Sequence, residues 1–416
     1  MTILYNMILK ILEFIMQKEG RKFLDLSKNF DKSIFDRDVK NSASLYVHIP
    51  FCRRICPYCS FNRYLFKEDL AKKYFKNLKK ELDLYINNNF EFSNFYFGGG
   101  TPTVLMPELI EFIDYLNENF NTKQISLETN PSDVTDENVN LLKNSGVKRL
   151  SIGVQSFDDE ILKSIGRTHT GEEARERILI AKGKFDTTNI DLMFNFPSQG
   201  IKKFKNDIKI FKELSIEQVT FYPLMPTPAK KNAMERKFNK VNTGMERKFY
   251  DIILKEMKNF KASTVWCFSK GERIIDEYII DFDDYIGIGS GSVSFLFGNF
   301  YVNSFSLENY EKLLINGKFP IVRWKKLSER EFINYYFLTK LFGMALDKGK
   351  FYNKFNSDIY EKLKKELMFF KFFGIIKEDE NTIGVTDKGM YHVNVLMREF
   401  FSALNNLREY CIQNKI

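Results

Sequence analysis

The chain is predicted to be an α/β protein: a parallel sheet followed by a smaller, mainly helical C-terminal domain. Three observations predict this. From about residue 45, short β-branched or aromatic runs ending in Gly, Pro, Asn or Gln alternate with longer segments of helical apolar spacing. Such alternation implies right-handed crossovers between parallel strands, in a sheet either doubly wound or curved into a barrel or partial barrel. The 416 residues, 44% of them hydrophobic, can bury a sheet of that size, and beyond about residue 328 the pattern turns helical.

Taken in order, the first segment is MTILYNMILKILEFIMQ, apolar enough to raise a signal-peptide or anchor question. Lys10 and Glu13 interrupt it and no small-residue cleavage site follows, so a docked amphipathic helix is expected. The strand-like runs are LYVHIP, FYFGGG, ISLETN, KRLSIGVQ, IDLMFNFP and VTFYPLMP, and segments such as Lys67 to Tyr85 and Glu172 to Lys182 read as helices. After Pro228 comes a charged helical stretch, Arg236 to Phe260, then TVWCFSK. DDYIGIGSGSVSFLFGNFYVNSF follows as a Gly/Ser turn between aromatic strands. IYEKLKKELMFFKFFGIIKEDENTIGVTDKG reads as a helix and two short strands, the pattern of a winged helix. The expected units are an N-terminal helical extension (residues 1–44), the strand–helix repeat (45–228), a region completing the sheet (229–325) and the winged-helix-like domain (326–416).

Composition narrows the class. Net charge +9 arises from 63 basic and 54 acidic residues spread along the chain, which favours anionic partners weakly and gives no clustered face for nucleic acid. The winged helix is therefore expected to pack or to cover a substrate. Five cysteines form no disulfide framework for a chain of this length, and thiolate chemistry needs reduced sulfur, so a cytosolic setting is expected. Beyond the first segment, no uninterrupted apolar stretch is long enough to span a bilayer.

Ligands of parallel α/β sheets collect at the carboxyl ends of the strands. The distinctive residues fall there. Cys52, Cys56 and Cys59 follow the first strand as C-x3-C-x2-C, and Gly98 to Thr101 follow the second. Glu128 lies in the third, Gln155 closes the fourth with Arg167 in the loop beyond, Asp191 lies in the fifth and Tyr222 in the sixth. Three thiolates so close in sequence converge on one soft-metal centre, iron–sulfur or zinc. As a cluster site they leave one iron open. With His48, four residues before Cys52, they would instead complete a zinc site of three cysteines and a histidine. GGGTPT either uncovers backbone N–H groups for an amine or carboxylate ligand or makes a tight strand-to-helix turn. Taken singly, Glu128, Gln155, Arg167 and Asp191 read as structural or solvated side chains; converging on one rim they offer carboxylates for ribose hydroxyls and a cation for a carboxylate.

Five motifs, in order and spacing, resemble one family: YVHIPFCRRICPYCSF, YFGGGTPT, ETNP, RLSIGVQSFDDEILKSIGRTH and IDLMFNFP. They are similar to those of the radical S-adenosylmethionine enzymes of the oxygen-independent coproporphyrinogen III oxidase family. The resemblance covers about residues 45 to 300 and, more weakly, the C-terminal domain. It implies a partial (β/α)6 TIM-like barrel of the radical SAM type and a [4Fe-4S] cluster on Cys52, Cys56 and Cys59. It further implies S-adenosyl-L-methionine bound to the open iron and cleaved by an electron to a 5′-deoxyadenosyl radical. Tyr46 and Tyr58 then lie beside the cluster and its ligand, Tyr46 counting with the cysteines as catalytic. Gly99, Gly100, Thr101, Glu128, Gln155, Arg167 and Asp191 contact S-adenosylmethionine, and Pro223 and Val293 match further positions lining such sites. The implied substrate is a tetrapyrrole, and the implied reductant a flavodoxin or ferredoxin.

Departures from the family pattern bear on the substrate. The true oxidase has a further cysteine two residues after the third cluster cysteine, where this chain has Phe61, which weakens the decarboxylase assignment. The related heme chaperones carry His-Asn-x-x-Tyr-Trp after the barrel strands, whereas the histidines here are His48, His169 and His392, so that route of heme ligation is excluded. A third branch cleaves heme by radical methyl transfer, and no residue argues for or against it. Cys267 is either a heme or redox thiol or a small buried side chain. Cys411 is expected to be incidental, and His169 to make a structural hydrogen bond.

Overall fold

The computed structural model describes residues 2–36, 43–228, 230–232, 235, 243–274, 278–281 and 283–416. After helix α1 (Thr2–Phe23), six strands enter the sheet in chain order. They are β1 (Ala43–Ile49), β2 (Phe92–Gly99), β3 (Gln124–Thr129), β4 (Arg149–Gln155), β5 (Thr187–Phe194) and β6 (Gln218–Pro223). Each runs parallel to the one before. The crossovers carry α2 (Glu68–Ile86), α3 (Met106–Asn119), α4 (Asp136–Asn144), α5 (Asp159–Ser164), α6 (Gly171–Ala181) and α7 (Ile201–Leu214). All six sequence-read strands are therefore present. β1 is buried at every position, as a strand covered on both faces must be.

The chain then extends the sheet at both edges. Helix α8 (Thr243–Glu256) precedes β7 (Cys267–Ser269), which pairs antiparallel with β6. The part of the charged stretch at 236–242 lies outside the described residues. On the opposite side β8 (Asp284–Ile288) joins β1 in parallel. Antiparallel β9 (Val293–Leu296), β10 (Asn299–Asn303) and β11 (Ile321–Lys326) follow, with α9 (Leu307–Ile315) before β11. The twelve-stranded sheet runs in the order β11-β10-β9-β8-β1-β2-β3-β4-β5-β6-β7 and ends on the short strand Lys261–Ala262. Among the described residues its two edges do not pair, so the sheet is open.

The C-terminal region consists of α10 (Glu329–Phe342), α11 (Lys348–Phe355), α12 (Ile359–Phe372) and α13 (Asp387–Gln413). A three-stranded sheet, β12 (Ala345–Asp347), β13 (Ile376–Glu378) and β14 (Thr382–Val385), stands beside them. The expected helix and two strands of a winged helix are α12, β13 and β14. The N-terminal segment is the docked helix it was expected to be: Ile8, Leu12 and Phe23 of α1 are buried, and the Arg398 guanidinium of α13 donates to Glu13 at 2.6 Å. No described helix is long and apolar enough to cross a membrane.

The turn after β4 is held by a buried acid. Asp207 of α7 accepts from the Phe157 backbone N–H at 2.7 Å and the Ser156 hydroxyl at 2.9 Å. Burial pushes its carboxyl from 3.8 up to about 7, against the pull of those two donors. A carboxyl with a raised folded pKa holds its proton where the unfolded chain has lost it, so its contribution to stability is full below pH 3.8 and lost as pH rises through 7. In Asp207→Asn the amide oxygen keeps the Phe157 bond and the NH2 group donates to the Ser156 oxygen. That variant is expected to be near wild type at pH 5 and more stable than it at pH 8, read by denaturant unfolding at the two pH values. A stability difference independent of pH would contradict the buried titration.

Candidate active site

The carboxyl ends of β1 to β6 open on one cavity of about 630 Å³. The residues expected from the sequence line it, Gly98 excepted: Cys52, Cys56 and Cys59 after β1; Tyr46 and Tyr58; Gly99, Gly100 and Thr101 after β2; Glu128, Gln155, Arg167 and Asp191; and Pro223 and Val293. Cys267 and Cys411 are buried elsewhere and do not line it. The convergence follows from topology, because successive parallel strands present their carboxyl ends on the same rim.

Arg63 holds the cysteine loop. Its guanidinium donates to the carbonyl oxygens of Cys56 at 3.0 Å and Phe61 at 3.1 Å, and to that of Cys59. The Thr101 hydroxyl donates to Cys52 Sγ at 3.7 Å. Burial pushes the Cys52 thiol up to about 11, the Thr101 bond pulling it back in part. Ser60 Oγ, Arg63 Nε and Arg167 Nε beside the loop are buried without partners, where sulfides and thiolates of a cluster would supply acceptors. The Arg167 guanidinium is held above its usual range: burial is the largest single influence and works against the charge, but Tyr58 and the three cysteines together outweigh it. Three soft donors, orphaned donors around them and a neighbouring cation fit an iron–sulfur cluster.

The zinc alternative fails on His48. Its Nε2 lies 2.9 Å from the Asn62 carbonyl, which only accepts, so Nε2 carries the hydrogen and Nδ1 accepts from the Tyr46 hydroxyl at 3.0 Å. Both ring nitrogens are engaged inside the fold, and burial depresses the imidazole to about 4. Among the described residues, no group of three or more His, Cys, Asp or Glu side chains is placed to hold a metal ion. A mononuclear zinc centre needs its ligands within about 2.3 Å of one point.

The glycine run resolves toward close packing. The Gly99 N–H donates to Glu128 at 3.3 Å, the Gly100 N–H to the Ile49 carbonyl at 2.8 Å and the Thr101 N–H to the Phe51 carbonyl at 2.9 Å. These N–H groups therefore serve the fold. A Cβ on Gly99, whose φ is +114°, would come within 2.7 Å of the His48 ring, and one on Gly100 within 2.7 Å of the Phe51 carbonyl oxygen. Backbone cannot swing aside as a side chain can. Gly100→Ala is expected to cost about 1–3 kcal/mol by overpacking, read as a lower denaturation midpoint, whereas wild-type stability would contradict the contact.

The acids and Arg167 are set by strand ends. Glu128 accepts from the Tyr96 hydroxyl at 3.0 Å, and burial, then the Asp191 charge, raise its carboxyl to about 7. Asp191 accepts from the Ser151 hydroxyl, 3.0 Å from each oxygen, and from Asn189 Nδ2 at 2.7 Å. The β4–β5 register shifts between Gly153 and Gln155, and Gln155 takes the left-handed region at φ +73°. This bulge turns the Gly153 carbonyl toward Arg167, which donates to it and, through Nη1, to Asn130 Oδ1 at 2.6 Å. Asn130 donates in turn to the Thr101 hydroxyl at 2.7 Å, linking the β2, β3 and β4 rims. His169, depressed to about 4 mainly by burial, lines the same wall.

Sequence reading missed several walls. Trp266 and, from α13, Phe401, Asn405 and Arg408 close the far side of the cavity. Asn405 Nδ2 donates to the Met225 carbonyl at 3.0 Å, and the Arg408 guanidinium lies 4.6 Å over the Phe61 ring. Asn130 stood in the ETNP motif and could have been assigned. The α13 residues carry no local signal.

The sequence profile of the Radical SAM superfamily matches residues 46–226. Over 382 residues the chain is 27% identical to the heme chaperone HemW of Bacillus subtilis, covering 87% of this chain and 100% of that protein. It is 28% identical over 423 residues to the oxygen-independent coproporphyrinogen III oxidase of Helicobacter pylori, 92% of each being covered. The structure of the Escherichia coli coproporphyrinogen III oxidase HemN, described as a radical SAM enzyme, superposes with a TM-score of 0.78 at 21% identity. That superposition covers 90% of this chain and 95% of HemN, and it is a likeness of fold.

Proposed function

Because the chain belongs to the Radical SAM superfamily, in the branch that holds the HemW chaperones and the oxygen-independent coproporphyrinogen III oxidases, we propose that it is a radical S-adenosylmethionine enzyme acting on a tetrapyrrole. Membership implies a [4Fe-4S] cluster and S-adenosyl-L-methionine as cofactors. The observation that carries the reading is the single cavity that joins Cys52, Cys56 and Cys59 to the acids and the arginine of the strand ends. When bound, the reduced cluster supplies the electron that cleaves the sulfonium to methionine and a 5′-deoxyadenosyl radical.

This chain's residues do the aiming. Cys52, Cys56 and Cys59 hold the cluster on a loop fixed by Arg63. Arg167 holds the methionyl carboxylate, and Glu128 and Asp191 accept from amino or ribose groups. Tyr46, whose hydrogen is directed to His48, meets the ligand as an acceptor. Tyr58, Gln155, Pro223 and Val293 shape the pocket, and α13 keeps water out. Arg63 and Arg408 line the cavity, and Lys230 stands near both, its ammonium held below the usual lysine range by burial and then by Arg63. Three cations there suit a substrate that bears carboxylates. A flavodoxin or ferredoxin type of donor in the cytoplasm would supply the electron.

The HemW likeness supports a second reading, in which heme is held and passed on without turnover. Anaerobic reconstitution and mass spectrometry with coproporphyrinogen III and with heme separate the outcomes. Loss of two carboxyl groups marks the oxidase, methylated or linearised products a heme-cleaving enzyme, and bound but unchanged heme a chaperone. Reduced, reconstituted protein that forms no 5′-deoxyadenosine with any of them would falsify the radical reading.

A further inference from the structure

Helix α1 is apolar on two sides. Its inner face packs through Ile8, Leu12 and Phe23, and Gly20 passes close to Ala403 of α13. Its outer face leaves Met7 52%, Ile11 40%, Phe14 66% and Ile15 46% exposed. At about 100° per residue these four fall within an arc of roughly 100°. Four large apolar side chains on one outward stripe are more than the scattered singles that any surface carries.

The charges beside the stripe are not mixed. Lys18 and Lys22 project inside the same arc, and Lys10 and Arg21 lie within about 40° of its edge, all four exposed. The acids lie elsewhere: Glu13 faces α13 and is paired with Arg398, and Glu19, at the margin, is paired with Lys22 at 3.2 Å. An exposed apolar stripe framed by lysine and arginine matches the in-plane helix of a protein seated on an anionic lipid surface. A second copy would bring these cations against their own kind. A span is ruled out by the helix's composition.

We propose that the outer face of α1 seats the protein peripherally on anionic bilayers, with Met7, Ile11, Phe14 and Ile15 entering the headgroup boundary and the four cations meeting lipid phosphates. The proposal is independent of the reaction the cavity performs. It is tested by co-sedimentation of the full chain with phosphatidylcholine vesicles with and without phosphatidylglycerol. Wild type is expected to pellet with the anionic vesicles, and to do so less in high salt. Phe14→Glu/Ile15→Glu should weaken partitioning by about tenfold or more. Lys10→Glu/Lys18→Glu should weaken it on anionic vesicles alone. All four side chains are exposed, so both variants should melt with wild type, and either pair suffices if the other fails to fold. Wild type remaining in the supernatant, or both variants pelleting undiminished, overturns the proposal. So does a dimer in light scattering that Phe14→Glu/Ile15→Glu splits, which would assign the face to a second copy.

Discussion

Replacing Cys56 by alanine is expected to abolish 5′-deoxyadenosine formation and to leave reconstituted protein with little bound iron or sulfide. The loop from Cys52 to Phe61 has no regular structure beyond a two-residue strand, and Arg63 fixes it through three carbonyl oxygens. Its backbone therefore keeps its shape without the thiol, and what is lost is one of the three soft ligands. Two thiolates do not hold a four-iron cluster in a site without a further cysteine, and neither His48 nor the buried cysteines can replace it. His48 is engaged at both nitrogens, and Cys267 and Cys411 lie outside the cavity. Cys267→Ala and Cys411→Ala should accordingly keep wild-type iron content and visible absorbance. Iron content and 5′-deoxyadenosine in Cys56→Ala equal to wild type would sink the cluster assignment.

The sequence carried the parts of the molecule that local pattern determines. Each parallel strand announces itself by a run buried on both faces, and each helix by its apolar spacing, so β1 to β6 and their rim were legible together. Because strand ends share a rim by topology, the sequence alone places Glu128, Gln155 and Asp191 beside the cysteines. The partners of these side chains were not legible. That His48 would be taken by Tyr46 and Asn62 depends on a loop folding back over fourteen residues. That the Gly99 to Thr101 N–H groups would serve the fold depends on how β2 lies against the turn after β1. The bulge that hands the Gly153 carbonyl to Arg167 is a register slip that no residue type dictates. The α13 wall is furthest from sequence reach, since which face of a long helix closes a cavity whose other walls lie more than about 100 residues earlier is a matter of docking.

One part-buried guanidinium ties that helix to two others through ion pairs, which makes Arg398→Ala the substitution with the largest expected effect on stability. Arg398 donates to Glu246 of α8 at 2.6 Å, to Glu13 of α1 at 2.6 Å and to Glu399 at 2.8 Å. Glu246 is 3% exposed, and its remaining donors, Tyr391 and Asn394, lie at 3.4 Å. Removing the arginine leaves that carboxylate buried without a counter-charge, a loss of about 3–5 kcal/mol. The fault is in the stranded charge more than in the missing contact, so Arg398→Met/Glu246→Met should recover most of the loss in denaturant unfolding. If the double variant is as unstable as Arg398→Ala, the pair is not the cause. A functional effect follows from helix geometry. Phe401, Asn405 and Arg408 succeed Arg398 at steps of three and four residues and so share its face of α13. Loosening the anchor frees that face from the cavity wall, and water reaches a site that needs it excluded. Arg398→Ala is therefore expected, at a temperature where it is still folded, to form more 5′-deoxyadenosine per product than wild type, while Arg398→Met/Glu246→Met returns the ratio toward the wild-type value.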